Sequence, residues 1–319
     1  MPKVSVIVPI YKVEDFIARC AESLFAQTLD DIEFVFVDDC TPDRSMEILQ
    51  SVIDANRERI EGKGWTVRIE HMPVNSGLPI VRCHGIKCST GDYIIHCDSD
   101  DWPDPRMYEM MYEAGVRNSA DIVICDYAVN DGTRVVEEVK GTETTDKDRF
   151  VRDLLLQKYS WALWNKLVSR RCFTDGLVPP KGNMGDDMVL VFQLLLNAGS
   201  IVHVPQTLYN YFLNMASMTN SRDDETMMRY FRQRKDNADI VYDILRRNGL
   251  EDRYADEIVA HKLFIKSRIR KTRFNRDKRR IWKRTYSEIN GKVLSNPAIP
   301  LAEKIKFVGT YLGIYPYRR

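Results

Sequence analysis

Short β-branched runs, each closed by a turn or an acid and followed by a stretch of helical period, recur through the first 125 residues and leave this chain few folds to choose from. Val4–Val8 is such a run, closed by Pro9, and its unbroken apolar character suits a strand buried on both faces. Phe16, Ile17, Cys20 and Leu24 then share one face at 3.6 spacing, which predicts a helix. Ile32–Val37 is a second strand and ends in Asp38-Asp39-Cys40-Thr41-Pro42-Asp43. Thr41 or Asp43 can cap the next helix, whose Met46, Leu49 and Val52/Ile53 form a stripe. The rhythm continues through Trp65–His71, a helix from about Leu78 to Ser89, Asp92–Cys97, a helix after Pro105 and Asp121–Cys125. Such alternation predicts an α/β fold, with a parallel sheet carrying helices on its faces.

Ligands of such sheets bind beyond the carboxyl ends of the strands. Two acidic clusters, Asp38-Asp39 and Asp98-Ser99-Asp100, fall at those ends. Carboxylates buried side by side are costly, so a cluster there implies a cation, a ligand or plain solvent. Several nucleotide-binding classes are excluded. The turn after the first strand reads Pro9-Ile10-Tyr11-Lys12 instead of G-x-G-x-x-G, and no G-x-x-x-x-G-K-[ST] occurs. A calcium loop starting at Asp98 fails because Trp102 and Pro103 stand where an oxygen ligand and glycine are needed.

Beyond this region the pattern changes. Residues 126–148 are polar around Asp131-Gly132, which predicts a hairpin or exposed loop. A helix follows near Phe150–Gln157, then the aromatic segment Trp161–Leu167, whose rings can offer flat faces to a ligand, then Gly185-Asp186-Asp187 leading into a helix over Met188–Leu196. From about Asp223 the chain reads as helical. Net charge is +1, yet residues 1–260 carry 30 Lys/Arg against 43 Asp/Glu while residues 261–319 carry 17 against 3. The basic stretch 261–284 interleaves Leu263, Phe264, Ile265, Ile269, Phe274, Ile281 and Trp282. It reads in three ways: as a nucleic-acid footprint, as an amphipathic surface for anionic lipid, which is the better supported of the two, or as a helix packed on the catalytic domain. Seven cysteines without a C-x-x-C pair predict reduced thiols and a cytoplasmic protein, and no run of signal-peptide or membrane-span character occurs.

Three spacings together resemble a known family: Val37-Asp38-Asp39-Cys40-Thr41-Pro42-Asp43, then Asn75-Ser76-Gly77-Leu78 through Arg82 to Gly85, then Gly91-Asp92-Tyr93 through Asp98-Ser99-Asp100-Asp101. They are similar to the family 2 inverting glycosyltransferases of the GT-A fold, of the bacterial polysaccharide type. Trp164-Asn165-Lys166-Leu167, Gly185-Asp186-Asp187 and the Val202–Tyr211 segment extend the likeness over roughly residues 3–215.

The resemblance implies a GT-A domain over residues 1–220, with a nucleotide-sugar half to about 101 and an acceptor half beyond, followed by a basic helical region over 221–319. It implies that Asp39 contacts the nucleotide base in a pocket lined by Pro9 and Tyr11, that Arg82 lies on the donor side, and that Asp98 and Asp100 face the ribose and a divalent ion, Mn²⁺ or Mg²⁺. Asp187 matches the general base, while Asp186, Trp164 and Lys166 match residues that shape the acceptor and donor sides of the cleft. The implied reaction moves a sugar from a UDP-sugar to a hydroxyl of a polysaccharide or lipid-linked oligosaccharide, at the inner face of the plasma membrane, and no nucleic acid is expected.

There are departures. The family's A-R-N-x-G reads Val81-Arg82-Cys83-His84-Gly85, its E-D pair reads Asp186-Asp187, and Phe212-Leu213-Asn214-Met215 stands where many relatives place an arginine. The last leaves open a non-catalytic nucleotide-sugar binding protein. His96 is expected as a hydrogen-bonded strand histidine or as a donor to the acids beyond it, and His203, in a segment where some relatives place a metal-binding histidine, as structural or as a ligand.

Overall fold

The expected alternation of strands and helices is present in the structure, a computed structural model that describes residues 1–214, 223–272 and 274–314. Contacts divide the chain into two compact units. The first comprises Met1–Phe150, Trp161–Pro179 and Leu190–Met215. It opens with β1 (Val4–Ile10), α1 (Ile17–Phe25), β2 (Ile32–Asp38), α2 (Ser45–Ala55), α3 (Arg57–Gly62), β3 (Thr66–His71), α4 (Leu78–Cys88) and β4 (Tyr93–His96). There follow β5 (Trp102–Pro103), α5 (Met107–Asn118), β6 (Ile122–Asn130), β7 (Val135–Val139), α6 (Lys147–Leu155), β8 (Lys166–Ser169), α7 (Asp186–Asn197) and β9 (Ile201–Phe212).

The strands form one sheet in the order β3-β2-β1-β4-β8-β6-β9-β5, with β7 added to β6. β3, β2, β1 and β4 are all parallel. The sequence did not announce that β8 runs antiparallel between β4 and β6. The polar segment after Asp126 is the β6–β7 hairpin, turning at Asp131-Gly132.

On one face of the sheet α1 and α5 cover a core that includes Val6, Val8, Ile95, Met107 and Tyr108. Phe25, Phe34 and Trp65 pack there edge to face or stacked, with ring centroids 5.4–6.5 Å apart. On the other face α4 lies directly on β1 and β2. Its Gly85 has no side chain because a Cβ there would stand 2.4 Å from Ile7 Cγ2. The contact sets the height of α4 above the sheet and so places everything the helix carries.

The carboxyl edge is shaped by a missing donor. Cys97 N–H donates to Ile7 O at 2.9 Å. In a parallel ladder the next bond would need the N–H of residue 9, which is Pro9. β4 therefore parts from β1 just where Asp98 begins. At the opposite end of the same strands the buried Glu33 is fully engaged, accepting from Ser5 Oγ at 2.5 Å and Thr90 N–H at 2.7 Å.

The second unit comprises Val151–Ser160, Pro180–Val189 and Ala216–Arg319. Its helices are α8 (Asp224–Arg247), α9 (Ala255–Ser267), α10 (Arg276–Arg284) and α11 (Leu301–Leu312). The division expected near residue 220 falls outside the described residues. Packing also assigns 151–160 and 180–189 to this unit, for a physical reason: Arg152 pairs with Glu257 at 2.8 Å, and Asn237 Nδ2 donates to Met184 O at 2.9 Å. In the basic stretch 261–284, Leu263, Ile265, Ile269, Phe274 and Trp282 are buried, as the packed-helix alternative requires, while Phe264 is half-buried and Ile281 exposed. Trp282 packs on Phe307 of α11 at 5.4 Å, with the Lys266 ammonium 4.5 Å above its ring. Among the described residues no helix is long and apolar enough to cross a membrane.

Buried His261 gives this unit an acid limit. Burial, then the nearby Arg234 charge, lowers its pKa from 6.5 to about 3. The folded state thus takes up the proton later than the unfolded chain, so its contribution is intact above 6.5 and is lost as pH falls from there towards about 3. Chemical denaturation from pH 7 to 4 should show stability falling through this window, and His261→Phe should flatten that slope.

Candidate active site

The site is built on the loop that leaves β4. Asp98 Oδ1 accepts from the Arg82 guanidinium at 2.8 Å, and Arg82, carried by α4, is 3% exposed. Asp98 and Asp100 follow two residues apart, and Asn214 Nδ2 donates to Asp100 Oδ2 at 3.3 Å. Burial, then the Asp98 charge, raises the Asp100 pKa. Two carboxylates held this closely in a partly dehydrated loop form a hard-oxygen donor set, which suits a divalent cation such as Mg²⁺ or Mn²⁺.

Asp39 lies at the end of the neighbouring strand and is 4% exposed. Its two oxygens accept from Ser76 N–H at 2.6 Å and Gly77 N–H at 2.9 Å. This carboxylate thus holds the loop that opens α4, and Gly77 is required there by its φ of 85°. Pro9 is buried in β1 while Tyr11 is 41% exposed just beyond it. Lys12 and Cys40 both adopt left-handed φ, 54° and 57°, in the adjoining loops. Lys12 N–H donates to Thr41 Oγ1 at 2.8 Å, so the two loops brace each other. Asp38 is structural, with Oδ2 3.0 Å from His71 Nδ1 and Oδ1 accepting from Thr41 N–H. Asp43, more than Thr41, meets the start of α2 by accepting from Ser45 N–H at 3.2 Å.

Four supporting residues escaped the sequence reading. Asp101 is fully buried and accepts from Tyr209 Oη at 2.8 Å and Phe212 N–H at 2.7 Å. Tyr209 also touches the acid loop directly, since Asp98 N–H donates to its hydroxyl at 3.1 Å. Arg19 donates to Asp100 O at 2.7 Å while its guanidinium lies 3.9 Å from the Trp102 ring centroid and 4.6 Å from that of Phe212. Asn214 completes the set. Only Asp101 carried a signal, as the last acid of Asp98-Ser99-Asp100-Asp101; the other three are brought in by β9 and α1 from far along the chain.

Residues 5–171 match the sequence profile described as Glycosyl transferase family 2. The chain belongs to that family. It is 35% identical to the uncharacterized glycosyltransferase EpsJ of Bacillus subtilis over 179 residues, 54% of this chain and 49% of that one. The match thus spans about half the length of that relative. In fold, the chain is similar to S. aureus TarS 1-349, solved in complex with UDP-GlcNAc, with a TM-score of 0.61 at 17% identity over 97% of this chain and 89% of that one. It is also similar to the mannosyltransferase PcManGT from Pyrobaculum calidifontis, solved in complex with GDP-Man and Mn²⁺, with a TM-score of 0.55 at 12% identity over 99% and 81% of the two chains. These neighbours share the GT-A arrangement of the first unit.

The family 2 profile spans Asp39, Arg82, Asp98 and Asp100, and it ends before Asp186 and Asp187. Those two acids stand in the first turn of α7, in residues that belong to the second unit, with Asp186 buried. Trp164 and Lys166 were expected to face the cleft, but both are buried. Trp164 stacks on Tyr209 at 4.4 Å with 7° between the planes, so that face is already taken. Lys166 Nζ donates to Ala162 O at 2.7 Å and Asn165 Oδ1 at 2.8 Å. His203 Nε2 is 2.7 Å from Asp126 Oδ1, which gives it the structural partner expected of it. His96 departs from its expected hydrogen bond: it is buried, and neither ring nitrogen has a partner among the described residues. Burial, then the Arg82 charge, holds its pKa well below 6.5, so the ring is neutral. Met215 of the altered loop lies outside the described residues.

Removing Arg82 would leave Asp98 facing Asp100 without that guanidinium. Arg82→Met should lower stability by about 1–3 kcal/mol, read as a shift in the urea midpoint, and raising the concentration of Mg²⁺ should restore part of the loss.

Proposed function

We propose that this chain is an inverting glycosyltransferase that moves a sugar from a nucleoside-diphosphate sugar, with UDP as the nucleotide, to a hydroxyl of a polysaccharide or lipid-linked oligosaccharide. The observation that carries the reading is the crowding of Asp98 and Asp100 at the carboxyl edge of the parallel strands, where burial and mutual repulsion raise the Asp100 pKa. A cation and a diphosphate relieve that crowding together. The hard-oxygen donor set fits Mn²⁺ or Mg²⁺ held by Asp100 with Asp98. When bound, the cation neutralises charge on the departing nucleoside diphosphate.

The chain's own residues divide the remaining work. Asp39 fixes the 75–77 loop beside a base pocket lined by Pro9 and Tyr11, and Arg82 orients Asp98 towards the ribose. Asp187 takes the proton from the acceptor hydroxyl at a carboxylate oxygen. The hydroxyl oxygen forms a bond to the anomeric carbon as the bond to the diphosphate oxygen breaks, so a single displacement inverts the centre. Trp164 and Lys166 act by holding β8 and β9 in place, and Asp186 supports the start of α7. UDP is proposed by analogy with the TarS structure, solved in complex with UDP-GlcNAc, while PcManGT was solved in complex with GDP-Man. The non-catalytic alternative rested on residues 212–215, yet Asn214 in that segment keeps a polar contact to Asp100.

The reading places the enzyme in the cytoplasm, at an anionic membrane. Free thiols at all seven cysteines fit a reducing compartment. With Phe274 and Trp282 buried, the lipid contact is proposed for α11, where Leu301, Ile305, Val308 and Leu312 fall on one outward stripe, 73%, 63%, 37% and 59% exposed. Beside it α10 presents Arg276, Arg280 and Arg284 at helical spacing to solvent, and Lys283 lies 4.2 Å from the Tyr311 ring centroid. An apolar stripe bordered by cations matches an anionic lipid interface.

Three experiments test these assignments. Asp187→Asn should lower transfer from UDP-sugars by about 10²–10⁴-fold with UDP affinity unchanged by calorimetry, while Asp100→Ala should make UDP affinity indifferent to Mn²⁺ and to EDTA. Transfer that survives Asp187→Asn removes the base assignment, and a chain that binds UDP-sugar without ever transferring it is the non-catalytic protein. Co-sedimentation with phosphatidylglycerol vesicles should be strong at low salt, fade as salt rises and be lost in Leu301→Ser/Ile305→Ser. Concentration-dependent dimers with no vesicle binding would instead make α11 a contact between copies.

A further inference from the structure

α4 and the edge strand β3 bring together three side chains that sugar transfer does not use. His84 and Cys88 stand four residues apart on α4 and so lie on one side of the helix, a turn apart. Glu70 faces them from β3. His84 Nε2 lies 3.5 Å from Glu70 Oε2 and 3.4 Å from Cys88 Sγ. The three candidate ligand atoms are all within 4.8 Å of one another, and all three side chains are half-buried and open to small ions.

Around a tetrahedral zinc with bonds of about 2.0–2.3 Å, neighbouring ligand atoms stand roughly 3.3–3.6 Å apart. The His84–Glu70 and His84–Cys88 edges already have that length, and a change of rotamer at Glu70 closes the third. A thiolate, an imidazole and a carboxylate suit zinc, and three protein ligands leave the fourth position to water. Asp98 and Asp100 offer only hard oxygens, so the two donor sets differ in kind. The nearest competing cation, Arg68, stands 4.0 Å from Glu70 and 3.7 Å from Glu33, beyond hydrogen-bond distance of either. His84 also fills the variable position of the Val81-Arg82-Cys83-His84-Gly85 motif, which the transfer chemistry leaves unassigned.

We propose that Glu70, His84 and Cys88 form a second divalent-metal site, selective for zinc, that fastens α4 to β3. The neutral imidazole binds through Nε2 and keeps its proton on Nδ1. The thiol gives up its proton to solvent as the S–Zn bond forms. Because the thiol must lose its proton to bind, binding strengthens as pH rises. Because α4 also carries Arg82, the metal stiffens the helix that holds Asp98.

The test is a titration of the reduced full chain with Co²⁺ in excess Mg²⁺, which saturates hard-oxygen sites. One equivalent should give the intense visible bands of tetrahedral cobalt with thiolate-to-cobalt charge transfer in the near ultraviolet, and zinc should abolish both by displacement. Cys88→Ser should remove the charge transfer. Since altering even outer partners of a metal site costs roughly 10–100-fold in affinity, His84→Ala and Glu70→Gln should each weaken zinc binding by at least about tenfold. Asp100→Asn should leave the spectrum intact, which separates this site from the donor site whatever the fate of the transfer assay. Octahedral cobalt spectra without charge transfer, a charge transfer that survives Cys88→Ser, or zinc affinity unchanged in His84→Ala would overturn the proposal.

Discussion

One absent hydrogen does much to shape the acid site. β1 is central to the sheet and would bond both neighbours along its length, but Pro9 has no N–H to give β4. The ladder stops at Cys97 N–H to Ile7 O, and the chain is released at the residue where carboxylates must turn from the sheet towards a ligand. Had any other residue stood at position 9, β4 could have run on, and the side chain of Asp98 would follow strand alternation instead of the loop. Pro9 on the sheet and Asp98 in the loop are thus a single device, separated by almost ninety residues of sequence.

Around this break the acids are used in two opposite ways. Asp39, Asp101 and Glu33 are saturated with N–H and O–H donors and act as braces: they fix the 75–77 loop, the end of β9 and the far end of β1. Asp98 meets the Arg82 guanidinium and Asp100 the Asn214 amide, and burial with the Asp98 charge raises the Asp100 pKa. The difference follows from supply. Asp39 lies at the opening of a helix, where N–H groups are free, whereas Asp100 lies in a loop with another carboxylate two residues away. Rigid braces around an electrostatically frustrated pair are what a cation site needs, because the pair is then prevented from relaxing apart.

The sheet was legible because buried parallel strands write themselves as continuous apolar runs, as Val4–Val8 and Ile32–Val37 do. The antiparallel insertion of β8 was not, since Lys166–Ser169 is four residues long and holds a lysine that the fold buries on backbone and amide oxygens. Trp164 and the aromatic residues of 261–284 misled in the same way: sequence reports that a ring is present, not which face is already covered. Trp164 is covered by Tyr209, some forty-five residues away, and Trp282 by Phe307. Asp39 was expected at the nucleotide base, whereas both its oxygens accept backbone N–H groups from a loop whose geometry depends on Gly77. The acid pair was legible, and its supports Arg19, Tyr209 and Asn214 were not, because their relevance exists only once α1 and β9 have packed.

An open sheet presents unpaired backbone wherever it stops, and among the described residues its edge strands are guarded. β3, at one end, exposes Arg68 and His71 along with the half-buried Glu70; β7 carries Glu137 and Glu138 on an almost wholly exposed strand. At the other end β5 is only two residues long, too short to template a visitor. Charge and brevity deny a second chain the ladder it would need. A chain whose sheet edges are guarded in this way can meet its own copies at high density without pairing strand to strand.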